Sequence, residues 1–129
     1  SIMVEKSIII DADYANARQM AAVIRKLDWL VTCRYHALVF AMGGFVPTIG
    51  LAHDERIATI LDELGLMDKL FISYEERYIL DLLKEKTQLL RKDSNQIRRT
   101  IERSMPGYIE RMNENKRLFA GLVASSFTE

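Results

Sequence analysis

The 129-residue chain is short of several residue types, and each shortage narrows what it can be. It has one cysteine, Cys33, which excludes an internal disulfide and any zinc cluster built from cysteines. It has no net charge, so composition gives no case for nucleic acid as a partner. No apolar run approaches the ~20 residues that cross a bilayer as a helix. Ser1 to Lys6 carries no basic leader, and the run Ile8-Ile9-Ile10 stops at Asp11. A cytoplasmic setting is therefore the default expectation. There is no internal repeat, low-complexity tract or Gly/Ser-rich linker. What remains is ordinary for one globular domain: 49% hydrophobic and 28% charged residues, in a chain long enough to bury a core.

The order of elements reads as α/β. Met3 to Ile10 contains an apolar run that predicts a first strand. Asp11 and Asp13 offer helix caps, and Ala15 to Leu27 places Met20, Val23, Ile24 and Leu27 at helical spacing. Trp29 to Cys33 predicts a buried strand, with Cys33 an inert strand residue. Residues 34–43 predict a small-residue helix stopped by Gly43-Gly44. Val46 to Leu51 reads as the next strand. Asp54 then caps a helix with Ile57, Ile60, Leu61 and Leu64 on one stripe, closed by Gly65. Lys69 to Ile72 is the last strand expected. Alternating strands and helices imply a Rossmann-like, three-layer parallel sheet of about four strands.

From residue 74 onward the chain is helical in pattern. Ser73 and Glu76 have capping-box spacing. Asp93 to Gln96 can break one helix and start another, and Pro106 predicts a kink. The expected division is one domain, with an α/β core over 1–73 and C-terminal helices over 74–125. That tail carries more apolar stripe than a small sheet needs, which points to a larger assembly or a homo-oligomer. It also holds the basic surplus: residues 84–117 have ten Lys/Arg against five Asp/Glu. Such a surplus is most simply a solvated face; the sharper reading is a surface toward an anionic substrate or bilayer headgroups.

The chemistry concentrates in residues 33–54. Arg34 and His36 fall where a strand passes into a helix. In a parallel sheet that junction lies at the carboxyl edge, where open α/β sheets bind ligands. A helix N-terminus there favours anions. Arg34 supplies a fixed cation and His36 a titratable group. His53 and Asp54 end the following strand and are candidate rim contacts. Each has a plainer reading. His36 can simply pack at a helix start, Arg34 can pair with Asp11, Asp13 or Asp54, and Asp54 can be a cap beside a surface histidine. No metal site is expected.

Residues 29–66 resemble the polysaccharide pyruvyl transferase family. That family's block runs from an apolar strand into Met-Arg-Leu-His-Ala-Leu. A Gly-Val-Pro strand entry, a strand ending Tyr-Asp-Pro-Lys and a helix ending Leu-Gly-Leu follow. Here the counterparts are Cys33-Arg34-Tyr35-His36-Ala37-Leu38, Phe45-Val46-Pro47, His53-Asp54-Glu55-Arg56 and Leu64-Gly65-Leu66. His53 stands where tyrosine is usual, Glu55 replaces proline and Tyr35 replaces leucine. The resemblance implies the C-terminal half of a GT-B-like fold, whose N-terminal half lies outside this sequence, and a chain inactive on its own. It implies transfer of pyruvate from phosphoenolpyruvate, as co-substrate and without a further cofactor, to a sugar of a cell-surface or exopolysaccharide as a ketal. The acceptor would be a sugar or lipid-linked saccharide, met at the inner face of the membrane. His36 would be the catalytic acid or a phosphate ligand, with Arg34, His53 and Asp54 binding substrate. Two other functions remain open: half of a GT-B glycosyltransferase binding a nucleotide sugar, and a non-catalytic Rossmann-like interaction module.

Overall fold

A computed structural model of the chain describes residues 16–128. The first expected strand, within 3–10, and the caps Asp11 and Asp13 lie outside them.

The first helix, α1, is Ala17–Ile24, shorter than the spacing predicted. Asn16 caps it: its side chain accepts from Gln19 N–H, while Gln19 reaches back to the Asn16 N–H, at 2.9 and 3.0 Å. Of the expected apolar stripe only Ile24 is fully buried; Val23 and Leu27 are exposed. Strand β1 is Leu30–Thr32. Cys33 lies beyond it and is exposed, not a buried strand residue as its apolar neighbours suggested. Helix α2 is Tyr35–Gly43, with Leu38, Ala41 and Met42 in the core. It ends in a Schellman arrangement: Phe45 N–H donates to the Met42 carbonyl and Val46 N–H to that of Ala41. The left-handed position falls on Phe45, at φ 62°, rather than on either glycine of the pair before it. Gly44 instead accommodates the Arg25 stem, whose Cγ lies 2.4 Å from where a Cβ would stand.

Strand β2 is Thr48–Ala52 and helix α3 is Glu55–Glu63, burying Ile57, Ile60 and Leu61. Gly65, at φ 73°, closes α3 in the way its position predicted. A single turn, α4 (Met67–Leu70), leads into β3, Phe71–Ser73. The three strands form one sheet in the order β1-β2-β3, and both pairings are parallel. Consecutive parallel strands need crossovers, and α2 and α3 supply them. Three strands are described where about four were expected.

Ser73 and Glu76 do not form a capping box. The Ser73 hydroxyl accepts from Glu75 N–H at 3.2 Å, a local turn, and the last helix, α5, starts only at Ile79. Helix α5 runs to Thr128 and is bent at Asp93, where φ is −113° and ψ 20°. The break expected at Asp93 is thus present. Pro106 lies inside the helix without a departure from helical backbone. Both Pro106 and Glu102, whose carbonyl the proline leaves unbonded, are exposed, so water can take that carbonyl. Leu90, Ile97, Ile101 and Met105 bury α5 against the Leu38, Met42, Ile57 and Leu61 core. Further along, Leu118 and Phe119 are 62% and 68% exposed, consistent with a tail richer in apolar surface than this core covers.

Candidate functional site: the carboxyl edge of the sheet

The pairing register fixes the edge. Thr32 is level with Gly50, and Ala52 with Ser73. The chain therefore leaves the sheet at Cys33-Arg34, His53-Asp54 and Tyr74 along one carboxyl edge. Two helices of at least two turns, α2 and α3, begin there, and their N-termini differ.

The N-terminus of α3 is occupied. Asp54 accepts from the Arg56 backbone N–H at 2.9 Å. The same carboxylate also takes a two-point bond from the Arg56 guanidinium, through Nε at 3.1 Å and Nη2 at 2.8 Å. The side-chain bond from Arg56 holds the Asp54 carboxyl below the ordinary carboxylate value; the cap bond adds to this. The pair raises Arg56 in turn. Asp54 is thus engaged as a cap with its own cation. Its partner is Arg56, not Arg34.

Among the described residues the N-terminus of α2 is open: Arg34 is its cap residue, in extended backbone, and none of their side chains bonds the first-turn N–H groups. The Arg34 backbone N–H donates to Thr32 Oγ1 at 3.1 Å, which ties the turn to the strand. The side chains of Arg34 and His36 are exposed. Among the described residues neither makes a salt bridge. An anion placed at this terminus would meet free N–H groups, the positive end of the helix dipole, a guanidinium and an imidazole.

Tyr35, between them, is half-buried and connects the two termini. The Arg56 guanidinium carbon sits 4.4 Å above its ring centroid. The His36 ring meets it edge-on at 5.7 Å. Tyr108 on α5 is raised mainly by burial, with the neighbouring Tyr35 adding to it. Tyr35 also lines a groove of about 340 Å³ with Val39, Phe40, Met105 and Met112, beside Arg25 and Lys116.

His53 is exposed, and its ring packs perpendicular to that of Tyr74 with centroids 4.8 Å apart. The neighbouring Cys33 thiol is the first cause of the raised pKa of Tyr74. The four residues singled out from the sequence thus line one edge in two groups: Arg34 and His36 at the open terminus, His53 and Asp54 at the end of β2. Arg56, Tyr35, Tyr74 and Cys33 complete the edge and escaped notice as site residues. Only Arg56, the basic residue ending the His53-Asp54-Glu55-Arg56 stretch, carried a signal that could have found it. Among the described residues no three His, Cys, Asp or Glu side chains are grouped to hold a metal ion. Among them also, no helix is long and apolar enough to cross a membrane.

Fold and edge together define an α/β protein with a parallel sheet whose carboxyl edge carries an uncapped helix start flanked by Arg34 and His36. The family model for polysaccharide pyruvyl transferase matches residues 4–55, which bears out the family resemblance. The match takes in β1, α2, β2 and the cap of α3, and so contains Arg34, His36, His53 and Asp54. The rest of α3, β3 and α5 lie beyond it. No curated protein and no solved structure matches the chain.

Proposed function

We propose that this chain carries the donor-binding edge of a polysaccharide pyruvyl transferase, which moves pyruvate from phosphoenolpyruvate onto two hydroxyls of one sugar. The open N-terminus of α2, flanked by Arg34 and His36, is the observation that carries this reading. Phosphoenolpyruvate bears a carboxylate and a phosphate. A guanidinium grips either in two-point fashion, and uncapped N–H groups take the other.

The reaction asks for little else at this edge. A proton goes to the methylene carbon of the enol, and in this reading His36 gives it. One sugar hydroxyl attacks the central carbon, now cationic, and loses its proton. Phosphate leaves with its bonding pair, and the second hydroxyl closes the ketal and loses its proton. Of the two hydroxyl protons, one replaces that given by His36 and the other goes to phosphate. The products are the ketal and inorganic phosphate, and no redox partner or metal is required.

The acceptor in this reading is a sugar of a cell-surface or exopolysaccharide. The groove beside Tyr35, apolar along Val39, Phe40 and Met105 with Arg25 and Lys116 near it, suits the lipid portion of a lipid-linked saccharide. The reaction would take place in the cytoplasm at the inner membrane face. An opposing wall, the second half of a GT-B-like cleft, would exclude water from the cation.

The test is calorimetric titration of the full-length protein with phosphoenolpyruvate and, separately, with a nucleoside diphosphate. Phosphoenolpyruvate should bind, and Arg34→Gln should weaken it about tenfold to a hundredfold, the worth of one charge-assisted contact. A preference for the nucleoside diphosphate would contradict the proposal and favour a glycosyltransferase half.

A further inference from the structure

Three strands end on this edge, and one ring joins all three exits. Tyr74 follows β3. Its backbone N–H donates to the Ala52 carbonyl of β2 at 3.4 Å. The thiol of Cys33, which follows β1, is near enough to raise the Tyr74 pKa. Its ring is packed by His53, which follows β2, at 4.8 Å and 86°. Tyr74 nevertheless remains 41% exposed. None of these three side chains enters the donor grip described above.

We propose that Tyr74 and His53 form the subsite for the acceptor, receiving the hydroxyl pair of a pyranose. This rests on the pyruvyl transfer reading and deepens it by separating acceptor residues from donor residues. Three features support it. First, a ring half-open to solvent offers an apolar face to the C–H side of a sugar, while its polar end stays free to bond. Second, the Tyr74 phenol oxygen has lone pairs that can accept from an incoming hydroxyl. Among the described residues the ring nitrogens of His53 have no hydrogen-bond partner, so a second hydroxyl can donate there. Two neighbouring acceptors match a substrate that must give up two hydroxyl protons. Third, the edge is divided by charge. Arg34 at the open helix terminus is a fixed cation that suits the anionic donor, whereas the Tyr74 ring and hydroxyl suit the C–H face and hydroxyls of a sugar.

The experiment uses the full-length protein with phosphoenolpyruvate and a panel of methyl β-galactopyranoside and β-mannosaminide acceptors. Tyr74→Phe keeps the ring and removes the hydroxyl; His53→Asn is the second variant. Each should raise the acceptor KM about tenfold, the worth of one hydrogen bond to a neutral partner. The phosphoenolpyruvate KM should stay within about twofold and the melting temperature unchanged. Equal rises in both KM values, or no rise for the acceptor, would overturn the assignment. If the wild-type protein releases no phosphate with any acceptor, the pyruvyl transfer reading fails separately. Saturation-transfer NMR with the same glycosides then decides the subsite. Contacts in the wild type that are lost in Tyr74→Phe support it, and their absence or persistence in the variant overturns it.

Discussion

A methyl group added to Gly50 should unseat α3 and disturb the edge that α3 helps to build. Gly50 is in the central strand, paired with Thr32 on one side and Phe71 on the other. A Cβ there would lie 2.5 Å from Ile57 Cγ2 and 3.4 Å from Leu61 Cδ1, both on buried side chains of α3. Carbon–carbon contacts are comfortable near ~3.5–4.0 Å, so the helix must retreat by about 1 Å. Ile57 is β-branched and has no free rotation with which to step aside. Overpacking of this kind costs about 1–3 kcal/mol, offset in part by the ~0.4–1 kcal/mol that alanine contributes by restricting the unfolded chain. A net loss of about 1–2 kcal/mol lowers the melting temperature by roughly 4–8 °C in a domain of this size. The assay is a double-mutant cycle by chemical denaturation. Ile57→Ala alone should cost about 2–5 kcal/mol. In that background Gly50→Ala should cost almost nothing, because the opposing methyl has gone. A Gly50→Ala cost that is unchanged by Ile57→Ala would refute the argument that these two groups set the distance between helix and strand.

Other consequences are simpler to check. The Asp54 carboxyl is held low by Arg56, so it binds protons more weakly in the folded chain than in the unfolded one. Its contribution is present above the ordinary carboxylate range and fades as pH falls through the depressed value. The stability gap between wild type and Asp54→Asn should therefore narrow in acid and stay constant near neutrality, as measured by denaturation at several pH values. Tyr108 should titrate above an ordinary tyrosine in ultraviolet difference spectra and remain raised in Tyr35→Phe, since burial is its main cause. Leu118→Ser and Phe119→Ser should each change stability by less than about 0.5 kcal/mol in dilute solution, given their exposure. A large loss would mean that the tail is covered by a second copy, which sedimentation would detect.

The sequence carried the order of the fold because its signals there are local. Apolar runs of strand length alternate with helical stripes, Asp54 and Gly65 bracket α3, and Asp93 bends α5. Errors fell where a local signal competes with another local bond or with tertiary packing. Ser73 has capping-box spacing, yet its hydroxyl is taken by Glu75 in a turn. The Gly43-Gly44 pair suggests a glycine in the left-handed position, but packing on Arg25 uses Gly44 and hands that position to Phe45. The site was half legible for the same reason. Arg34 and His36 are close in sequence and share one helix start. Tyr74, Cys33 and His53 come from three strand ends separated by about twenty residues each, and only the pairing register brings them together. Cys33 and His53 each stand in a stretch that resembles the family block, but nothing in either stretch, or around Tyr74, announces a contact across the strand ends.

Phosphate release tests the central claim most directly. The full-length protein is supplied with phosphoenolpyruvate and the glycoside acceptors, and wild type is compared with His36→Gln. His36 is exposed at the start of α2, so the substitution should leave folding intact. Loss of a positioned general acid should lower kcat by roughly 10²–10⁴-fold. The account predicts acceptor-dependent phosphate release that nearly disappears in His36→Gln, with the melting temperature preserved. Wild-type rates in a folded His36→Gln protein would contradict it and leave His36 a histidine that merely packs at a helix start.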